Sequence, residues 1–174
     1  MASRILYTCY NNKGRSPTLK AFTDYFLGKK GIIGVETESA GVGVESILSL
    51  RARGSTGPSR VAAHIMLRGY DIDIEDVQIK HLGELEMAYD FVLAADLHTM
   101  AITFDKFPEF AVRTMLAGDF AGHSSRLEIK GPYYYQKKFS EDRWSELLGY
   151  EIMLNETKNV ARRIVKKIVN SREY

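Results

Sequence analysis

The segment RILYTCYNNKGRSP, residues 4–17, decides the fold. Arg4–Thr8 is a short apolar run that predicts a β-strand, and Pro17 suits the first turn of a helix that we expect to extend to about Gly28. A loop rich in Asn and Gly therefore connects the end of a strand to the N-terminus of a helix. Strand–loop–helix units of this kind build parallel α/β sheets.

The rest of the chain continues the alternation of strands and helices. Further strands are predicted at Gly34–Ala40, Asp90–Ala95 and, more weakly, Ala111–Leu116. Helical segments are predicted at Pro58–Arg68 and about Ser140–Ser171, with a short turn around Ile47–Ala52 and a helix capped by Asp96. This order predicts a parallel sheet with helices on both faces. Such sheets bind ligands at the carboxyl ends of their strands, where the first loop lies.

Composition predicts one globular domain over residues 1–174. The chain is 45% hydrophobic and 26% charged, with a net charge of +2, which is too small to indicate nucleic-acid binding. It has no stretch approaching the ~18 apolar residues of a membrane span. The only cysteine is Cys9, which excludes an intrachain disulfide and a thiolate zinc cluster, and the four histidines lack metal-ligand spacing. We expect no metal, no cofactor, no membrane partner and a reducing cytoplasmic location.

The loop has the features of an anion site. A helix N-terminus offers free N–H groups and a partial positive charge. Asn11, Asn12 and Gly14 tolerate unusual backbone angles, so that the N–H groups of residues 10–15 can point inward. Arg15 adds a planar guanidinium that matches phosphate oxygens. We therefore expect inorganic phosphate or sulfate, or the phosphoryl group of a substrate, to bind here.

Cys9 adds a nucleophile to this anion site. The positive field at the helix start favours the thiolate over the thiol, and the Ser16 hydroxyl can donate to its sulfur. The Cys-x5-Arg pattern thus predicts a thiolate that attacks phosphorus. The alternative interpretation is an inert buried cysteine followed by a solvated turn. A nucleotide P-loop fits poorly, since Cys9 and Arg15 occupy the positions of its first glycine and its lysine.

The residues of this loop also resemble a known family. C-Y-N-N-K-G-R-S-P at residues 9–17 resembles the C-x-G-N-x-C-R-S-P signature of low-molecular-weight protein tyrosine phosphatases. Four later segments resemble the family in the same order: S-A-G at 39–41, residues 54–60, the D-F-V-L strand with Asp96, and P-Y-Y at 132–134.

The resemblance implies a four-stranded parallel sheet with helices on both sides. It also implies hydrolysis of phosphotyrosine through a phosphocysteine, with Cys9, Arg15 and Ser16 as the catalytic set. Asn12 would hold the loop in shape, and two tyrosines would wall the entrance. The substrate-binding set is Tyr10, Asn11, Asn12, Lys13, Gly14, Tyr133 and Tyr134.

The general acid of the family is missing. Gly131 stands where the family has the aspartate of D-P-Y-Y-G. Another carboxylate could substitute, with Asp119 and Glu128 as the first candidates. Glu141 and, with lower priority, His123 are the other potential donors. Alternatively, the substrates need little protonation of the leaving group, or the protein binds phosphorylated ligands without turnover. A phosphoarginine substrate is also conceivable, because its leaving group is protonated differently.

Two further departures concern the loop and the last helix. Gly14 replaces the family's second cysteine, which argues against a thiol-cascade arsenate reductase. Lys13 is interpreted first as a solvated lysine on the rim of the loop, and alternatively as a source of affinity for multiply anionic substrates. The basic residues of the last helix are interpreted as a solvated face rather than as a docking surface.

Overall fold

The centre of the molecule is a parallel sheet of four strands in the order β2-β1-β3-β4. The computed structural model describes residues 3–86, 88–122, 128–139 and 143–172. The strands are β1 (Ser3–Cys9), β2 (Val35–Gly41), β3 (Phe91–Ala94) and β4 (Thr114–Leu116). The prediction of an α/β fold with a parallel sheet is confirmed.

Helices connect and cover these strands. They are α1 (Arg15–Lys29), α2 (Val44–Ala52), α3 (Arg60–Tyr70), α4 (Leu97–Lys106), α5 (Pro108–Ala111), α6 (Ala117–Phe120), α7 (Pro132–Phe139) and α8 (Arg143–Arg172), with a 3-10 turn at Leu82–Glu84. None of the helices in the described ranges combines the length and the hydrophobicity of a membrane-spanning segment.

The sheet separates two hydrophobic cores, as expected for three layers. Side chains alternate along β1, so that Ile5, Tyr7 and Cys9 enter one core and Leu6 enters the other. The first core includes Phe22 of α1 and a row of residues from α8: Met153, Leu154, Val160, Ala161, Ile164 and Ile168. Burying a large apolar side chain stabilises the fold by about 1.5–3 kcal/mol, so this row explains why the long helix packs firmly along the sheet.

Several predicted boundaries were wrong. The fourth strand begins at Thr114 rather than Ala111, because Pro108 starts the short helix α5 at the proline-tolerant first helical position. The turn predicted around Ile47–Ala52 is a full helix, α2. Helix α7 was not predicted, and the last helix begins at Arg143 as far as the structure describes it, since 140–142 lie outside the described residues.

The register of the sheet sets the position of the loop after β1. Cys9 pairs with Gly41 at the end of β2, and Thr8 pairs with Ala94 at the end of β3. The carboxyl ends of all three strands therefore meet at one edge of the sheet. Residues 10–14 leave β1 at that edge and lead directly into α1.

Candidate active site

Most carbonyl groups of residues 9–14 are hydrogen-bonded to neighbouring parts of the fold. Four of them accept backbone hydrogen bonds from neighbouring segments: Cys9 from Val42 (3.0 Å), Tyr10 from Gly43 (2.9 Å), Lys13 from Ser59 (2.7 Å) and Gly14 from Thr18 (3.1 Å). The N–H groups of residues 10–14 donate to no group in the described part of the chain. A loop whose N–H groups have no partner within the described protein has the donors that a backbone anion nest needs.

Asn12 holds this loop to the sheet. Its backbone adopts a φ of 52°, in the left-handed region that Asn tolerates better than most residues. Its buried side-chain amide donates to the Ser39 carbonyl at 3.1 Å, and its Oδ1 accepts from the Ser16 hydroxyl at 2.9 Å. The amide nitrogen also lies 3.5 Å from the carbonyls of Gln78 and Lys80. Asn12 therefore joins the loop to two neighbouring segments.

Gly41 allows the loop to approach β2 this closely. A Cβ at position 41 would lie 2.5 Å from Ile47 Cδ1, 2.7 Å from the Tyr10 carbonyl oxygen and 3.0 Å from the Asn12 nitrogen. Two of these contacts are with backbone, which cannot move without deforming the loop. Position 41 therefore requires glycine.

Cys9 is buried, and its sulfur lies 3.0 Å from the Ser16 hydroxyl oxygen. The same hydroxyl is 2.9 Å from Asn12 Oδ1 and 3.3 Å from the Ala40 carbonyl, so three acceptors surround one hydroxyl proton. A charged sulfur is the strongest of these acceptors, since ionised partners form the stronger hydrogen bonds. The geometry thus allows Ser16 to stabilise a Cys9 thiolate.

Arg15 is held by two groups on the opposite side of the loop. Its Nη1 donates to the carboxylate of Asp96 and, at 3.1 Å, to the Ile129 carbonyl. Both charged side chains are largely buried, with exposed fractions of 14% for Arg15 and 15% for Asp96. The guanidinium is therefore fixed in place at the start of α1, and its other N–H groups have no hydrogen-bond partner among the described residues.

Asp96 has a second role at the start of α4. Its Oδ1 accepts from the Thr99 backbone nitrogen at 2.7 Å, which confirms the predicted helix cap. Burial raises the pKa of Asp96, but the charge of Arg15 and the hydrogen bonds from Thr99 outweigh it, so that the net pKa is lowered. Asp96 is consequently ionised at neutral pH and neutralises part of the charge of Arg15.

Gly131 lies beside Arg15, at the position where the resembling family has its acid. A Cβ there would be 3.9 Å from Arg15 Nε. The two candidate acids lie in different surroundings. Glu128 accepts from the Leu97 nitrogen at 2.9 Å and from Lys130 Nζ at 2.5 Å, next to Asp96. Asp119 is exposed on α6, and none of its described contacts reaches the loop.

The surroundings of Glu128 favour its charged form. Its hydrogen bond with Lys130 is the main cause of a lowered pKa, with the Leu97 N–H as the second, while burial opposes the shift. The charge of Asp96 acts in the opposite direction. Glu128 is therefore close to the site but ionised at neutral pH, which suits a base better than an acid. Glu141 and His123 lie outside the described residues.

Aromatic side chains follow Gly131 and occur within the loop itself. Tyr133 and Tyr134, with exposed fractions of 62% and 49%, stand at the start of α7, just after Gly131. Within the loop, Tyr10 stacks on His98 with ring centroids 5.7 Å apart. Aromatic rings of this kind combine a flat apolar face with a polar edge. That Tyr133 and Tyr134 form an entrance wall stays a prediction.

A close helix contact positions the segment around Gly131. A Cβ at Gly149 of α8 would lie 2.5 Å from the Pro132 carbonyl oxygen, so glycine there allows α8 to approach the start of α7. Gly14 likewise faces α8, where its Cβ would be 3.5 Å from Met153 Sδ.

The remaining loop residue, Asn11, has a buried Oδ1 without a hydrogen-bond partner among the described residues.

The sequence matches one protein-family model almost throughout. The model of the low molecular weight phosphotyrosine protein phosphatases matches residues 4–170. The chain belongs to this family. It is accordingly a cysteine-dependent phosphatase by family, as the resemblance predicted. None of the curated proteins compared with this phosphatase matches it.

Solved structures of the family share the fold of this phosphatase. A low molecular weight protein tyrosine phosphatase from T. tengcongensis has 22% identity and a TM-score of 0.72, with 95% of this chain and 99% of that chain covered. YwlE arginine phosphatase from Geobacillus stearothermophilus has 22% identity and a TM-score of 0.72, with 98% and 95% covered. Vibrio vulnificus Wzb in complex with benzylphosphonate has 21% identity and a TM-score of 0.65, with 96% and 99% covered.

The sequence did not reveal every residue at the site. Asp96 was expected as a helix cap and as part of the segment that resembles the family, but its ion pair with Arg15 was not expected. Its place directly after β3, beside β1 in a parallel sheet, was the available signal, because carboxyl ends of neighbouring strands meet at one edge. Nothing in the sequence indicated the backbone carbonyls that accept hydrogen bonds at the site, because every residue has a carbonyl group. These are the carbonyls of Ser39, Ala40 and Ile129.

Proposed function

We propose that this phosphatase hydrolyses aryl phosphate monoesters, phosphotyrosine in proteins above all, through a phosphocysteine on Cys9. The observation that carries the proposal is the contact of 3.0 Å between Cys9 Sγ and Ser16 Oγ at the base of an anion nest. Arg15 and the N–H groups of residues 10–14 bind the phosphoryl oxygens. Ser16 stabilises the sulfur as a thiolate.

In the first step, the Cys9 thiolate attacks phosphorus, a sulfur–phosphorus bond forms and the bond to the ester oxygen breaks. The electron pair of that bond leaves with the aryl oxygen. Charge on the phosphoryl oxygens is stabilised by preorganised donors, which is the largest single contribution in many enzymes. Asp96 and the Ile129 carbonyl keep Arg15 in position for this task.

In the second step, water attacks the phosphocysteine and the sulfur–phosphorus bond breaks. Inorganic phosphate forms, and the thiolate returns. The Ser16 hydroxyl assists here too, because it donates to the departing sulfur. An ionised carboxylate near the site can accept the proton of the attacking water, and Glu128, held by Leu97 and Lys130, is the candidate we favour over Asp119.

Protonation of the leaving group is the weak point of this site. Gly131 supplies no carboxyl, and both Glu128 and Asp96 have lowered pKa values. Loss of a general acid typically costs ~10²–10⁴ in rate. The enzyme should therefore favour esters with acidic leaving groups, of which phenols are the biological example.

Aromatic surroundings support an aromatic substrate. Tyr133 and Tyr134, together with the stacked pair Tyr10–His98, offer faces for a phenyl ring. A thiolate mechanism also requires a reduced sulfur, which supports the proposal of a cytoplasmic location. A phosphoarginine substrate lacks the aromatic ring, so a direct comparison of phosphotyrosine and phosphoarginine peptides tests this specificity.

A protein that binds phosphate esters without turnover is the competing function. We would measure hydrolysis of para-nitrophenyl phosphate without added metal, in the wild type and in Cys9→Ser. The proposal expects turnover that disappears in Cys9→Ser, while that variant still binds phosphate in a calorimetric titration. Tight binding with no turnover in the folded wild type would support the binding function instead. Turnover that persists in Cys9→Ser would refute both.

A further inference from the structure

A polar cavity of about 500 Å³ lies next to the loop, on the side of α3. Lys13, which belongs to the loop, lines it together with Arg53, Ser55, Arg60 and Glu75. Three of these side chains are cationic and one is anionic. A cavity with an excess of positive charge at the edge of a phosphate-binding loop calls for an anionic occupant.

Lys13 is not a freely solvated lysine on the rim. Its Nζ donates to the Ser55 hydroxyl at 2.7 Å, which directs the ammonium into the cavity. Its carbonyl accepts from the Ser59 nitrogen at 2.7 Å, so the backbone of the loop is tied to the segment that enters α3. Ser55 is a neutral partner, and Lys13 Nζ has no other hydrogen bond or ion pair within the described residues, which leaves two of its three donors for a ligand.

The two arginines of the cavity resemble Lys13 in their lack of an anionic partner in the part of the chain that the structure describes. Within the described residues neither Arg53 nor Arg60 has a carboxylate partner, and Arg53 Nε is engaged only with the Ser49 carbonyl, at 3.3 Å. Arg51, on the neighbouring helix α2, is by contrast paired with Glu84. Glu75 is the one carboxylate that lines the cavity. Guanidinium groups suit phosphate and phosphonate, which they bind bidentately.

We propose that this cavity is a second anion subsite, and that it binds a second phosphate-like group carried by the substrate whose ester phosphate lies in the loop. The proposal rests on the proposed phosphatase function and extends it to the class of substrate. Lys13 connects the two sites, because its backbone forms part of the loop and its side chain lines the cavity. A doubly anionic substrate would thus bind in both at once.

The test compares two matched esters. One is para-cresyl phosphate, and the other carries a non-hydrolysable phosphonate on the para carbon chain, through linkers of increasing length. Their leaving phenols are chemically alike, so a difference in kcat/KM reports the second anion. We expect a linker for which kcat/KM rises about tenfold, through KM, as charge-assisted contacts of this kind predict.

Three arginine variants make the test specific. The ratio of kcat/KM for the doubly anionic ester to kcat/KM for para-cresyl phosphate should fall by roughly three- to tenfold in each of Arg60→Gln and Arg53→Gln. The value of kcat/KM for para-cresyl phosphate itself should stay unchanged. Arg68→Gln is the matched control, since Arg68 lies in the last turn of α3, the helix that begins at Arg60, and does not line the cavity. No advantage at any linker length, or an advantage kept in both cavity variants, would overturn the proposal.

A binding measurement separates this proposal from the phosphatase function. Calorimetric titration with phenylphosphonate and its para-phosphonoalkyl derivative needs no turnover, and the derivative should bind more tightly in an Arg60-dependent manner. Inorganic phosphate provides the third arm. If free phosphate changes para-cresyl phosphate turnover in an Arg60-dependent manner and the linked phosphonate gives no gain, the cavity serves a free anion and the substrate proposal is wrong.

Discussion

Arg15 and Gly131 are neighbours in space, and a Cβ at position 131 would stand 3.9 Å from the guanidinium Nε. This is ordinary van der Waals contact. Gly131 also lies outside the left-handed region of backbone space, where only Gly31, Gly34, Gly54 and Gly122 among the described glycines are found. The backbone would therefore accept a side chain, and the glycine there has a chemical rather than a conformational consequence.

Gly131→Asp should create the missing acid. We expect kcat for phenyl phosphate to rise by about 10²-fold, and kcat for para-nitrophenyl phosphate to rise far less, because that leaving group needs little protonation. The slope of log kcat against leaving-group pKa should flatten. Gly131→Asn is the control, since it adds the same bulk without an acid. Equal effects of Asp and Asn would contradict the role assigned to this position.

Substitutions of Asp96 should separate its role as a helix cap from its charge interaction with Arg15. Asp96→Asn keeps a good helix cap and removes the charge beside Arg15, whereas Asp96→Ala removes both. We expect kcat/KM for para-nitrophenyl phosphate to fall about tenfold in both variants, because Arg15 loses the partner that fixes it. The free energy of unfolding in urea should fall in both variants because the buried ion pair is lost, and by about 1 kcal/mol more in Asp96→Ala because the cap is lost as well. Full activity in Asp96→Asn would disprove the positioning role.

Ser16→Ala should weaken both chemical steps. The variant loses the hydroxyl that lies 3.0 Å from Cys9 Sγ, so the thiolate is less stable as a nucleophile and as a leaving group. We expect kcat to fall by roughly 10–10²-fold and the acid limb of the kcat/KM profile to move to higher pH, since each lost charge-assisted bond is worth ~1.5–3 kcal/mol. An unshifted profile would show that Ser16 serves only the packing of the loop.

Glu84 should give the fold a measurable dependence on acid. Its hydrogen bonds with Arg51, at 2.5 and 2.8 Å, are the main cause that lowers its pKa to about 2. This pKa lies below the unfolded value of 4.5, so the ionised carboxylate of Glu84 stabilises the folded state. The stabilisation is complete above pH 4.5 and disappears as the pH falls through 2.

Glu84→Gln should therefore reduce the urea midpoint at neutral pH and flatten its decline between pH 4.5 and 2. The exposed Glu86, two residues along the chain, provides a control, since Glu86→Gln should leave both features unchanged. A decline as steep in Glu84→Gln as in the wild type would show that other carboxylates control the acid response.

The sequence predicted the parts of this molecule that depend on local chemistry. A strand, an Asn- and Gly-rich loop and a proline in the first turn of a helix were enough to place Cys9, Arg15 and Ser16 together, because all three belong to one short segment. The sheet followed from the alternation of strands and helices. Asp96 was recognised as a cap for the same reason: its partner, Thr99, is three residues away.

The parts that escaped prediction depend on distant residues. Arg15 and Asp96 are 81 positions apart, and Lys13 and Ser55 are 42 apart, so no local pattern could pair them. The cavity beside the loop arises only when the segment before α3 folds back onto Lys13. The predicted start of the fourth strand was wrong because Pro108 starts the short helix α5, which includes Ala111, the first residue of that predicted strand.

Direct detection of phosphocysteine is the measurement that tests the account most directly. The wild type would be mixed with para-nitrophenyl phosphate, quenched in acid within its first turnovers and analysed by peptide mass spectrometry. The account predicts a phosphate adduct on the peptide that contains Cys9 and no adduct in Cys9→Ser. Turnover without an adduct on Cys9, or an adduct on any other residue, would contradict it.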